Sequence, residues 1–239
     1  MSAAPGAPLR SARLAALLAA VPPCGCLADI ACDHAAIAEA AVASGRCGRA
    51  IAIDIAAGPL QAAAGRIAPT LRAAIELRRG DGFALAPGEA DCAVVAGIGG
   101  TLLATLLRRD RPRTLGLRHL VLSPHGDEDE VREALAATGW SVERETLLRA
   151  QGRLYLVLRA GWAAEPAARP LSCAEATVGR LARDAEPTLL RAYATVRCAT
   201  LAREIDGLRS GRSAGERLDR RLAALQAWTE LIASLLPAS

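Results

Sequence analysis

The chain has 239 residues, 52% of them apolar but only 3% aromatic, so its core must be built from alanine, leucine, valine and isoleucine. All 29 basic residues are arginine against 25 acidic ones, a formal charge of +4, and no lysine occurs. No apolar run of 18 residues is free of charge, which argues against a membrane-spanning helix. Seven cysteines, an odd number, do not make the paired framework of a small secreted domain.

In chain order, residues 9–21 read as an amphipathic helix with Leu14, Leu17, Leu18 and Val21 on one face, closed by Pro22-Pro23. The apolar run is too short for a secretion signal, and a cytoplasmic protein is expected. A strand at 26–30 leads through a turn at 31–34 into an alanine-rich helix at 35–44. A second strand, 49–53, ends at Asp54, and Gly58-Pro59 starts a helix to about Ala68, proline being at ease in a first turn. Further strands follow at 75–79 and 92–96, the latter bounded by Gly97, Gly99 and Gly100. A helix at 101–108 precedes a strand at 119–122, stopped by Ser123-Pro124, and another helix spans 131–138. Strands at 141–148 and 153–159, joined by Ala150-Gln151-Gly152, read as a terminal hairpin.

Strands alternating with helices imply an α/β fold with a parallel, doubly wound, Rossmann-like sheet. Its ligands bind where the carboxyl ends of the strands converge. There the chain places Asp29, Asp54 and Asp81, each after a short apolar run. A carboxylate after the second strand suits any ribose-containing cofactor, since ribose hydroxyls need acceptors. The first turn discriminates. Residues 29–34 hold no glycine and two aspartates, which would repel the pyrophosphate that a glycine-rich turn cradles. S-adenosylmethionine has no phosphate and carries a cationic amine and sulfonium, so first-turn carboxylates suit it. Helix capping is the other role open to Asp29 and Asp33. Cys24, Cys26, Cys32 and His34 fall within eleven residues, but the strand between them keeps them apart, so no metal is expected.

Beyond Trp162, a proline- and alanine-rich joint at 163–170 leads into a stretch, 171–236, that is helical in pattern and broken near Pro187 and around 210–215. Two long antiparallel helices account for it. Arginine is dense from Arg180 to Arg221, as suits a phosphate-bearing partner, or equally a solvated face of i,i+4 ion pairs. The division expected is therefore 1–162 for a cofactor-binding domain and 163–239 for a helical arm.

Several motifs together resemble one family: Leu27-Ala-Asp-Ile-Ala-Cys-Asp-His-Ala35, Gly58-Pro-Leu60, Gly80-Asp-Gly82, Ala96-Gly-Ile-Gly-Gly-Thr-Leu102, a Leu122-x-Pro124 turn and Gly152-x-Leu-Tyr155. They resemble the bacterial tRNA adenine-22 N1-methyltransferases, in register from about Arg13 to Tyr155 and more loosely into the arm at Glu186-Pro-Thr-Leu-Leu190. The resemblance implies a class I methyltransferase fold, S-adenosylmethionine as cofactor and tRNA as partner, with no membrane partner and a monomer or weak dimer. It implies that Asp29, Asp54 and Asp81 hold the amino-acid, ribose and adenine parts of the cofactor, with Ala31, Cys32, Ile55, Gly82, Ala96 and Ile98 lining the same site. Gly97 and Gly99-Gly100 would let the backbone approach the methyl group and the target base, while Asp33 and His34 would face the reaction centre. The arm would grip the tRNA.

The chain departs from that family in having Ala31-Cys32 in place of glycine followed by serine or threonine. It has Ser123-Pro124-His125 in place of Gln-Pro-Asn, and leucine rather than glutamate after Tyr155. His125 then stands where an asparagine would touch the base, and His119, inside a strand, reads as structural. Two other readings remain open at this stage: an RNA-binding protein that has lost transfer, and a methyltransferase of a small molecule or protein whose arm serves dimerisation.

Overall fold

The computed structural model describes residues 11–163, 169–209 and 215–235. Helix α1 (Ala12–Ala20) starts where Ser11 Oγ accepts from the Leu14 amide at 3.1 Å, a cap worth about 1 kcal/mol. Then come β1 (Cys24–Ile30), α2 (Ala36–Ala43), β2 (Cys47–Asp54), α3 (Ala57–Arg66), β3 (Ile75–Arg79), β4 (Cys92–Gly99), α4 (Gly100–Arg109), β5 (His119–His125), α5 (Glu128–Thr138), β6 (Trp140–Ala150) and β7 (Arg153–Trp162). The arm supplies α6 (Cys173–Val178), α7 (Leu181–Asp184), α8 (Pro187–Arg209) and α9 (Gly215–Ser234). The expected starts at residues 9 and 10 and most of the two expected breaks, 164–168 and 210–214, lie outside the described residues. No helix among the described residues is long and apolar enough to cross a membrane.

The seven strands form one sheet in the order β3-β2-β1-β4-β5-β7-β6. The first five are parallel, and β7 pairs antiparallel with both β5 and β6. Continuous apolar runs such as Cys92–Val95 are buried on both faces, as parallel strands between two helical layers must be. One layer packs Leu17 and Leu18 of α1, and Val21 just after it, with Ile37 and Ala38 of α2 and Leu60 and Ala63 of α3. The other packs Leu103 and Leu107 of α4 with Val131 and Leu135 of α5.

Four strands run past their expected ends: β6 reaches Ala150 and β7 reaches Trp162, and the other two extensions lie at the carboxyl edge of the sheet. β4 continues from Ala96 to Gly99, and β5 continues through Ser123-Pro124 to His125. The register between them slips between Ala96 and Gly99, where Gly97 takes a left-handed φ of +92°, so the chain bends without ending the strand. Pairing of β5 with β7 stops at Leu122, so Pro124 lies where the strand has a neighbour on one side only and its missing N–H breaks no ladder. Gly100, opening α4, is required by close approach: a Cβ there would collide with the backbone carbonyls of Gly126 and Asp127.

The arm is fastened to the sheet layer. Leu190, Tyr193 and Leu201 of α8 and Trp228 of α9 belong to the same buried cluster as Val131, Leu135 and Leu122. The Tyr193–Trp228 ring contact, 5.7 Å between centroids, and the Arg221–Glu204 pair at 3.0 Å set α8 and α9 antiparallel, as expected. Many of its arginines are already engaged. Arg221 of α9 also pairs with Asp127 and Asp129, Arg197 with Glu128 and Arg220 with Glu133, which leaves the arm less free positive charge than its composition suggests. Because the arm shares the core, Trp228→Ala should cost roughly 3–5 kcal/mol. Urea unfolding followed by far- and near-ultraviolet circular dichroism should move to lower denaturant as one transition; an arm that melts alone would contradict the shared core.

Candidate active site

β1 stops and α2 starts within five residues, and the turn between them is held in left-handed conformations at Ala31 (φ +53°), Asp33 (φ +50°) and Ala35 (φ +54°). Each non-glycine residue so placed costs on the order of 1–2 kcal/mol, which is the physical reason that glycine suits position 31. Backbone bonds lock the turn: the Cys32 amide donates to the Ile53 carbonyl at 3.0 Å, and the Ala35 amide to the Cys32 carbonyl at 2.8 Å. Asp54 accepts from the Asp33 amide at 3.2 Å and from the Ala56 amide at 2.9 Å, tying the ends of β1 and β2 together. Asp29, only 4% exposed, accepts from the Ala38 amide in the first turn of α2 at 3.1 Å through Oδ2. The capping role foreseen for it is thus real, while its Oδ1 has no hydrogen-bond partner among the described residues. Asp33 does not cap α2. Its carboxylate is 74% exposed, with His34 Nε2 at 3.5 Å, so the pair stands at the rim of the turn.

The remaining expected residues line the same edge. Ile55, 65% exposed, leaves a bare apolar surface directly after Asp54, of the kind a flat ring covers. Asp81 and Gly82 follow β3 at the far end, but the Asp81 carboxylate is bound by Arg109 Nη1 at 2.7 Å. Arg109 also grips Asp110, whose Oδ2 takes the Phe83 amide at 3.0 Å, so this loop is fixed by a surface ion pair as well as by its glycines. Ala96, Gly97, Ile98 and Gly99 form the extended end of β4, and His125 pairs with Gly99 across the ladder. Burial first, then the charges of Arg13 and Arg153, push the His125 imidazole below its usual range, so it is neutral near pH 7. His119 lies at the opposite, amino-terminal end of β5, 3.8 Å from Glu143, away from this edge. The donor set fits a ligand with positive charge, ribose-like hydroxyls and a flat apolar ring, and it lacks a glycine cradle for phosphate.

A sequence-family model described as a methyltransferase domain matches residues 10–158. The chain belongs to that family. It is 33% identical over 150 residues to the tRNA (adenine(22)-N(1))-methyltransferase of Bacillus subtilis strain 168, covering 62% of this chain and 63% of that protein. The sequence match thus spans less than two thirds of that curated relative's length. The crystal structure of the Bacillus subtilis m1A22 tRNA methyltransferase TrmK is similar with a TM-score of 0.78 at 26% identity, covering 93% of this chain and 98% of that one. Sp1610 of Streptococcus pneumoniae, in complex with S-adenosyl-L-methionine, shares the fold with a TM-score of 0.73 at 24% identity, covering 92% of this chain and 98% of that one.

Two features of this methyltransferase domain escape the sequence pattern. Arg13, on the first turn of α1, lays its guanidinium over the Tyr155 ring at 4.8 Å, and Tyr155 in turn faces His125 with centroids 6.4 Å apart. Beyond His125 a cleft of about 550 Å³ opens between the end of β5, the β6–β7 hairpin and α8. Its walls include Arg149, Arg153 and the exposed Val196, and Glu128 at its base is held by Tyr193 Oη at 2.8 Å and Arg197 at 3.1 Å. These residues come from segments far apart in sequence. In the sequence, His125 and the Gly152-x-Leu-Tyr155 motif pointed to part of the group.

Burial, opposed by the Ala38 amide and aided by Asp54, pushes the Asp29 carboxyl up to about 7. An unfolded aspartate ionises near 3.9, so between about pH 4 and 7 the folded chain holds a proton that the unfolded chain has lost. This group's contribution to stability is complete below that window and is lost as pH rises through about 7. In chemical denaturation of the ligand-free protein, wild type should lose more stability between pH 5 and pH 8 than Asp29→Asn does. Parallel pH profiles would refute the assignment.

Proposed function

We propose that this methyltransferase uses S-adenosylmethionine to methylate N1 of adenine 22 in tRNA. The observation that carries the reading is likeness over nearly the whole chain, arm included, to the Bacillus m1A22 tRNA methyltransferase, joined to 33% identity with the curated enzyme of that activity. Residues 1–162 then serve as the cofactor domain and 163–239 as the tRNA-contacting arm. Within the cofactor domain Asp29 Oδ1 meets the cationic amino-acid end, Asp54 the ribose hydroxyls, Ile55 and the Asp81-Gly82 turn the adenine, and Ala31, Cys32 and Ala96–Gly99 the space between.

When bound, the cofactor supplies an electrophilic methyl on a sulfonium. Adenine N1 presents an in-plane lone pair, so no prior deprotonation is needed, and the protein's main work is alignment and exclusion of water. Methyl leaves sulfur for N1, and the purine becomes cationic. Asp33 at the rim can stabilise that charge or accept the N6 proton, with His34 orienting its carboxylate. Neutral His125 can accept from the N6 amino group. Tyr155 and the cleft beyond it offer an aromatic face and cationic walls to a nucleotide taken out of its stack.

The test is transfer of labelled methyl to unmodified tRNA transcripts with adenine or guanine at position 22, followed by nucleoside analysis. Label should appear as 1-methyladenosine from the adenine transcript alone; label in both transcripts would move the target. In the same assay Asp33→Asn should lower turnover at least about tenfold while calorimetry shows cofactor affinity within about twofold of wild type. An unchanged rate would remove Asp33 from the mechanism.

A further inference from the structure

Arg221, on α9, is buried among carboxylates from separate elements. Its Nη2 is 2.7 Å from Asp127, its Nη1 3.3 Å from Asp129 and its Nε 3.0 Å from Glu204 of α8. Tyr193 and Arg197 of α8 take Glu128 between them. Three consecutive carboxylates, Asp127 to Asp129, are thus each bound by the arm. Only 8% of the Arg221 side chain is exposed, which leaves it no face for a phosphate.

The second oxygen of Asp127 gives this cluster its meaning. An aspartate just before a helix ordinarily takes an amide of the first turn. Asp127 directly precedes α5 yet makes no such bond. Its Oδ1 accepts from Arg221, and its Oδ2 accepts from Thr101 Oγ1 in the first turn of α4 at 3.1 Å. The backbone there is left-handed at two successive residues, Gly126 (φ +84°) and Asp127 (φ +48°). His125 immediately precedes them, and Gly100 packs against the carbonyls of Gly126 and Asp127. One carboxylate therefore ties α9 to both strand ends that reach the site, β5 at His125 and β4 through the start of α4.

We propose that Arg221 is a positioning residue for methyl transfer: acting through Asp127, it fixes His125 and the first turn of α4 relative to each other. The alignment of target base and methyl then depends on how α9 is seated. This rests on the function proposed above. Arginine suits the task because its planar fork faces three carboxylates at once, whereas an ammonium is a single point of charge. Without it, those acids would face one another with no cation between them.

Arg221→Met and Thr101→Val cut this relay at its two ends, the second without disturbing any charge. On unmodified transcripts with adenine at position 22, each should lower kcat about 10- to 100-fold, the upper figure being what a misplacement of about 1 Å can cost. KM for tRNA and calorimetric affinity for S-adenosylmethionine should stay within about threefold of wild type. The double variant should fall short of the product of the two losses, because both act through one carboxylate, and Arg221→Lys should recover part of the rate. Isotope-labelled imidazole spectra give a readout that needs no turnover. The chain has three histidines, and His125→Asn assigns the signal concerned. Both variants should shift it and leave the signal of His119, at the other end of β5, in place. Full multiplication of the two losses would overturn the proposal, as would an unmoved His125 signal. So would an intact kcat with raised KM, which would make Arg221 a contact of the arm with tRNA instead. If Arg221→Met loses its near-ultraviolet circular dichroism, Thr101→Val decides alone, by its rate and its His125 signal. A wild type that methylates neither transcript would remove the proposed function, and the His125 signals would then decide whether the relay exists.

Discussion

The turn at residues 31–35 is the constraint on which the rest of the site depends. To reverse from a buried strand into a helix in five residues, the chain takes left-handed backbone at three positions, none of them glycine. That strain is sustained because neighbours determine the turn from two sides. Asp29 holds the helix amide from below, and Asp54 with the Ile53 carbonyl holds the turn's own amides from the adjacent strand. The two carboxylates are therefore structural acceptors before any ligand arrives, and the free oxygen of Asp29 is displayed only because the turn keeps it in place.

A second set of contacts couples the arm to the other half of the site. The segment after His125 is gripped by both long helices. Arg221 takes Asp127 and Asp129, Arg197 and Tyr193 take Glu128, and Thr101 at the start of α4 reaches Asp127 at 3.1 Å. Breaking one partner of such a buried group leaves the other charge uncompensated, which costs more than the pair contributes when intact. The arm's arginines thus define where β5 ends and where His125 stands. Arg149 and Arg153 on the hairpin, which have no ion pair among the described residues, border the cleft next to His125.

Much of the fold was legible because its signals are local. Strand cores such as Cys92–Val95, helix starts such as Gly58-Pro59 and the helical period of 187–208 each arise from a few adjacent residues. The strand ends were not legible at Gly97–Gly99 and Ser123–His125, because glycine and proline there read as breakers. Pairing partners supplied by distant segments kept both stretches extended. The aspartates were legible for a similar reason, each closing an apolar run. Their partners were not: nothing near Asp81 announces Arg109, and nothing near Tyr155 announces Arg13.

The sequence by itself determined the alternation of strands and helices, the convergence of Asp29, Asp54 and Asp81 on one edge of a sheet, and a first turn unsuited to phosphate. These follow from periodicity and from the charge of residues close together in the chain. Only the tertiary structure decided which charges are paired with one another. Arg197, Arg220 and Arg221 find carboxylates 69 to 94 positions away along the chain, while Arg13 meets an aromatic face and no anion among the described residues. A charge's neighbours are set by how layers pack, and packing is a property of the whole chain.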